Sequence, residues 1–174
     1  MPLIGNRESF GIELNRDFFA YQLSMYIKGF DILQFEKEGN VYKYRWKNLE
    51  DIISWLEENM KYILSDDPFP LKMPGNCAAE KCEISYKLNM DDIHQYEILQ
   101  EWLFKHSWLS ARAGSYLADI YFVKIDNKIE ISWDNTNTFK EDEVNFIFPK
   151  GCYEVKMDQF EKAMKAMCEI YKKL

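Results

Sequence analysis

Glycine and proline are scarce, seven and five in 174 residues. That excludes linker, low-complexity and collagen-like chains. Histidine is scarcer still, with His94 and His106 the two present, and neither the HExxH of zinc proteases nor a zinc-finger spacing occurs. Cys77, Cys82, Cys152 and Cys168 include no CxxC pair. Reduced thiols and a cytoplasmic location are therefore the expectation. No signal peptide is expected either, because Met1 to Asn6 lacks a basic start and an apolar run. No stretch approaches the roughly 18 apolar residues that a membrane span requires, so no membrane association is anticipated. Phosphate-cradling GxGxxG and GxxxxGK[ST] loops and the GxSxG elbow of serine hydrolases are missing as well. No cofactor is implied. Basic charge is also short: 22 Lys and Arg stand against 29 Asp and Glu, a formal net charge of −7. A duplex-binding domain draws most of its affinity from phosphate neutralisation, so nucleic acid is not the expected partner.

What the chain has in quantity is aromatic side chains, 16% of residues. A chain of this length buries roughly 70% of its unfolded surface, enough for a core without disulfide or metal. A single globular domain over 1–174 is expected. Ser9–Leu14 and Ala20–Lys28 alternate as strands, and Val41–Trp46 returns as another after the Glu38-Gly39-Asn40 turn. The period then changes. Leu49, Ile52, Ile53, Leu56, Met60, Ile63 and Leu64 predict a helix over 48–64 with Asn48 at its cap. Pro68 and Pro70 end it. Pro74-Gly75-Asn76 reads as a turn within a loop, and Glu83–Leu88 as a short strand. A second helix, about 92–108, begins at Asp91 or Asp92 and turns Tyr96, Leu99, Trp102, Leu103 and His106 inward. Glu143–Phe148 and Cys152–Lys156 read as extended, and a last helix over 158–173 starts with Asp158 and Glu161 as a capping-box-like pair. The order predicts an α+β fold: an antiparallel sheet of about five to seven strands with three amphipathic helices.

One hairpin carries the sharpest expectation. With Asp126-Asn127 as the turn, Ile125 faces Lys128, Val123 faces Glu130, Tyr121 faces Ser132 and Asp119 faces Asp134. Alternation then puts Ile120, Phe122, Ile129, Ile131 and Trp133 on a core face, and Asp119, Tyr121, Glu130, Ser132 and Asp134 on a polar face looking out. Like charges opposed across strands are unfavourable, and such a local conflict is one mark of a binding surface. Three acids on a sheet face could hold a divalent cation, as in hairpin-built nucleases, although Ser132 stands where those enzymes usually place a lysine. Exposure of acids on an acidic protein is the plainer reading. His106, with Arg112 following it, is the other candidate; a general base needs a hydrogen-bonded partner, and a histidine on an apolar face is more often a structural donor. Asp134-Asn135-Thr136-Asn137-Thr138 reads as a loop.

The stretch His106, Ala111, Gly114, Asp119 and Ile129-Glu130-Ile131-Ser132-Trp133 resembles a bacterial family whose members read H…A…G…PD(V/I)xF…(V/I)E(V/I)SW. Trp55-Leu56-Glu57-Glu58-Asn59 and Asp67-Pro68-Phe69-Pro70 are similar to that family's helix and following loop. Ala118 replaces the family's proline and Leu109 its arginine. Members look like stand-alone proteins or appendages to metallopeptidase-type regulators, without an assigned activity. The resemblance implies a bacterial setting and a recognition role. The expected function is thus a non-catalytic protein-binding module of the immunity, defence or stress-regulation type, binding through Asp119, Tyr121, Glu130, Ser132, Asp134, His106 and Arg112. The alternative is a metal-dependent phosphodiesterase using the acids of the 119–134 hairpin.

Overall fold

The computed structural model describes residues 3–88 and 92–174. The chain opens with β1 (Ile4–Gly5), β2 (Phe10–Arg16), β3 (Tyr21–Ile27) and β4 (Phe30–Asp31), then β5 (Phe35–Lys37), β6 (Asn40–Tyr42) and β7 (Arg45–Trp46). Helices α1 (Glu50–Ile63), α2 (Ala78–Lys87) and α3 (Ile93–His106) follow. The hairpin β8 (Tyr121–Ile125) and β9 (Lys128–Asp134), short β10 (Asn145–Phe146), β11 (Lys150–Lys156) and α4 (Met157–Tyr171) complete it.

The α+β class and the antiparallel pairing are as expected, but the strands divide into three sheets. β1-β2-β3-β4 forms one, with β7 also on β3; β10-β5-β6 forms the second and β11-β9-β8 the third. The division has a visible cause at Val41–Trp46, expected as one strand. Tyr44 is buried, its hydroxyl 2.9 Å from Ser115 Oγ, and its carbonyl accepts from Leu23 N–H. Burying that ring turns the chain from the second sheet to the first. Glu143–Phe148 shrinks to the two residues of β10, and at its start Glu143 takes a left-handed φ of 59°, outside the extended region.

The three expected helices are present, shifted by a residue or two at their ends. Asp92 caps α3, its Oδ1 accepting from the His94 and Gln95 amides; Asp91 lies outside the described residues. Tyr96, expected inward, is exposed, because α3 meets the sheet only from Leu99 onward. Leu49 rather than Asn48 is the cap residue of α1. The capping-box expectation for α4 fails: Lys156 is the cap residue, and Glu161 binds Lys165 one turn on.

The main departure is α2, a fourth helix where a strand was expected. Its buried face is Ala78, Ala79, Cys82 and Ser85. Small side chains let the helix lie close on the third sheet. Together with Leu99, Trp102 and Leu103 of α3 and Tyr121 and Val123 of β8, that face builds a second apolar cluster. The larger core lies on the opposite face of the sheet, where Phe122, Ile129, Ile131 and Trp133 meet α1 and α4 through residues such as Leu56 and Phe160. β8-β9-β11 is therefore the middle layer of a sandwich, covered by helices on both sides.

Candidate functional site

The hairpin register is the expected one from end to end of the ladder: Tyr121 pairs Ser132, Val123 pairs Glu130 and Ile125 pairs Lys128. Asp126 supplies the turn's positive φ, 53°. The core face also holds, with Phe122, Ile129, Ile131 and Trp133 all buried. The polar face does not look out. Tyr121, Glu130 and Ser132 are 4%, 4% and 0% exposed, because α2 lies over them. Nor do Asp119 and Asp134 oppose each other in the ladder. Asn135 intervenes: its side chain accepts from Asp119 N–H and donates to the Asp119 carbonyl, like an added rung. The expected charge conflict is thus removed by an amide.

Glu130 and Ser132 have a physical reason to be buried. The first amides of a helix have no partner within the helix. Here Ala78 N–H donates to Glu130 Oε1 at 2.8 Å and Ala79 N–H to Ser132 Oγ at 3.1 Å, while Ser132 Oγ donates to Glu130 Oε1 at 3.2 Å. Two side chains of β9 therefore cap α2 from across the layer boundary, and the negative carboxylate suits the positive end of the helix. Burial pushes the Glu130 carboxyl pKa up; the Ala78 amide, Ser132 and Lys81 pull the other way.

Two thiols join this carboxylate. Cys152 of β11 pairs with Ser132, and Glu154 with Glu130. Side chains two apart on a strand share a face, as do those of paired residues, so Cys152 lies diagonally beside Glu130. Cys77, the cap residue of α2, descends onto both. The sulfurs and a Glu130 oxygen lie within 4.8 Å of one another, the one such grouping among the described residues. Cys77 and Cys152 also line a cleft of about 260 Å³ with Ala79, Trp133 and Lys150. The hydrogen bond from Cys152 lowers the Cys77 thiol to about 7 against the opposing effect of burial, with help from the Glu80 amide; the same shared proton raises Cys152. Cys82 and Cys168, buried elsewhere, are pushed up to about 12 and about 11 by desolvation. Sequence spacing gave no sign of Cys77 and Cys152, since strand pairing and helix docking bring them together. The signal available was the i, i+2 pair Glu130 and Ser132 on a strand, too polar for a face that a helix covers.

The remaining candidates are engaged separately. Arg112 binds the Asp119 carboxylate and also donates from Nε to the Leu117 carbonyl. Burial raises Asp119 to about 6 even so. Asp134 accepts from the amide and hydroxyl of Thr136. The three acids are thus not gathered at one point. His106 is fully buried, Nδ1 facing the Phe122 carbonyl at 2.8 Å and Nε2 facing Asp67 Oδ2 at 2.9 Å. Both ring nitrogens are hydrogen-bonded within the protein, so neither is free to face a substrate. Trp102 stacks on the ring at 4.5 Å, and its indole N–H donates to the Asp67 carbonyl. Asp67 is thereby tied twice to α3, holding the loop that leads to Cys77.

On the opposite side of the sequence's expectations stands the β2–β3 turn. Phe18 and Phe19 are 99% and 85% exposed at its tip. The turn is well tied: Asp17 Oδ1 accepts from the Phe19 and Ala20 amides at 2.9 Å each, and Asp17 N–H donates to the Ala20 carbonyl. Arg45 on β7 grips the other carboxylate oxygen of Asp17 at 2.5 Å. No helix among the described residues is long and apolar enough to cross a membrane. The chain matches no known protein family, no curated protein and no solved structure.

Proposed function

We propose that the chain is a non-catalytic protein-binding module that docks through the Phe18–Phe19 turn. The single observation behind this reading is the pair of adjacent phenylalanines held almost fully in solvent by a hydrogen-bonded turn. Two aromatic rings in water cost free energy that a partner's pocket would recover, and aromatics are favoured anchors of interfaces. Preorganisation of the turn by Asp17 and Arg45 lowers the ordering cost of binding. The net charge of −7 favours a protein partner with basic surroundings over nucleic acid or an anionic lipid surface. A cytoplasmic bacterial setting in immunity, defence or stress regulation is what the family resemblance adds to this reading. The phosphodiesterase alternative would need Asp119, Glu130 and Asp134 on one ion, and their separate engagements lend it no support.

Affinity capture from source cells at native expression should return a stoichiometric protein partner. The Phe18→Ser/Phe19→Ser double variant should lose it while keeping its melting temperature, since exposed positions contribute within about 0.5 kcal/mol. Equal capture by the double variant, or binding of the wild type to neutral lipid vesicles in place of a protein, overturns the proposal.

A further inference from the structure

We propose that Cys77, Glu130 and Cys152 form a Zn²⁺ site, with the two sulfurs and the carboxylate as protein ligands and the adjoining cleft as the open fourth position. The three donors come from the α2 cap, β9 and β11, and their ligand atoms already lie within 4.8 Å of one another. In a tetrahedral zinc site, Zn–S distances of about 2.3 Å and Zn–O distances of about 2.1 Å put neighbouring ligand atoms roughly 3.5 Å apart. Closing the present arrangement therefore takes side-chain rotation of about 1 Å, without movement of the strands.

The donor set selects the ion. Two thiolates and one carboxylate suit Zn²⁺ or another borderline-soft metal, whereas Mg²⁺ and Ca²⁺ call for oxygen donors throughout. The electrostatics agree. Glu130 is 4% exposed, and its two hydrogen bonds both fall on Oε1. A cation beside it would offset a desolvation that the Ala78 and Ser132 bonds only partly compensate. Two thiolates, one carboxylate and Zn²⁺ sum to a net −1, which the positive N-terminus of α2 favours. The Ala78 amide and the Ser132 hydroxyl already fix the carboxylate's orientation. Solvent reaches the site through the cleft that Cys77 and Cys152 line, so the ion has an entry path and a place for water. Binding releases the thiol protons, and affinity accordingly rises with pH.

The test uses the reduced full-length chain titrated with Co²⁺ and followed by absorption. One equivalent should bind with thiolate-to-Co²⁺ charge-transfer bands and the strong visible bands of tetrahedral cobalt, and Zn²⁺ should displace it. Cys77→Ser and Cys152→Ser should each remove about half of the charge-transfer intensity, as each contributes one of the two sulfurs. Glu130→Gln, which keeps an acceptor for Ala78, should retain that intensity while weakening affinity at least about tenfold. Cys168→Ser should change nothing. Far-UV circular dichroism reports whether each variant is folded; should Cys77→Ser fail to fold, Cys152→Ser and Glu130→Gln decide. Uptake below one equivalent, bands without sulfur character, or full intensity in Cys152→Ser overturns the site. So does formation of a Cys77–Cys152 disulfide in preference to metal binding under mild oxidation.

Discussion

Asp31 is a carboxylate placed where water cannot reach it, and its two oxygens fare differently. Oδ1 accepts from the Met25 and Leu33 amides at 3.2 Å each. Among the described residues, neither Oδ2 nor the buried Ser24 hydroxyl nearby has a partner at hydrogen-bond geometry. Desolvation raises the pKa, and the hydrogen bonds and Lys43 only partly oppose it. An acid whose folded pKa exceeds its unfolded value near 3.8 binds more protons when folded across that interval. Stability from this group is therefore fullest below about pH 4 and is lost as pH rises through the folded pKa. Asn at this position keeps the two amide bonds, removes the charge and offers Ser24 a donor. Asp31→Asn should gain about 1 kcal/mol at pH 7, with the gain disappearing towards pH 4. Urea titrations at both pH values measure this; a variant less stable than wild type at pH 7 would mean the carboxylate is well paired.

At the scale of elements, the β8–β9 hairpin was legible residue by residue and α2 was not. The hairpin has period-two alternation, a turn pair tolerant of positive φ and bulky β-branched side chains, so register and core face follow from sequence. α2 buries Ala78, Ala79, Cys82 and Ser85, side chains too small to produce an apolar stripe, while Ile84, Tyr86 and Leu88 mimic a strand. Missing that helix inverted the reading of the polar face, since nothing else announces that Glu130 and Ser132 cap a helix. Tyr121, Glu130 and Ser132 share the expected face of the hairpin, but α2 buries them there. For His106 the sequence left a binding role and a structural one both open, and its partner Asp67 lies across a loop that spacing does not connect to it. That pairing can be tested through the loop it holds. His106→Ala leaves the Phe122 carbonyl and Asp67 without their ring partner and opens a gap beside Trp102. It should cost about 2–4 kcal/mol, and amide exchange should accelerate in residues 65–76 before the β8–β9 ladder. Uniform acceleration through both would show that the histidine supports the global fold without pinning the loop.

For the whole molecule, the consequence of a doubly covered sheet is cooperativity. β8 and β9 supply both cores: Phe122, Ile129 and Ile131 to the larger, Tyr121 and Val123 to the smaller. Neither apolar cluster can lose its wall without exposing the other's. The polar contacts cross the same boundary, since the α2 amides rest on β9 side chains and the Trp55 indole of α1 donates to the Phe104 carbonyl of α3. A chain built this way should unfold in one transition even when the smaller core alone is weakened. Leu103 is 4% exposed in that core, lies outside the Phe18–Phe19 turn and is not one of the donors Cys77, Glu130 and Cys152. Leu103→Ala should cost about 2–4 kcal/mol from lost transfer energy and the cavity left behind. Near-UV and far-UV signals should still fall together in urea, with the slope unchanged. A separate early transition confined to tryptophan fluorescence, where Trp102 reports on the smaller core, would show that α2 and α3 form a layer that detaches by itself. In that case the capping of α2 by Glu130 and Ser132 would hold the helix in place without coupling it to the rest of the fold.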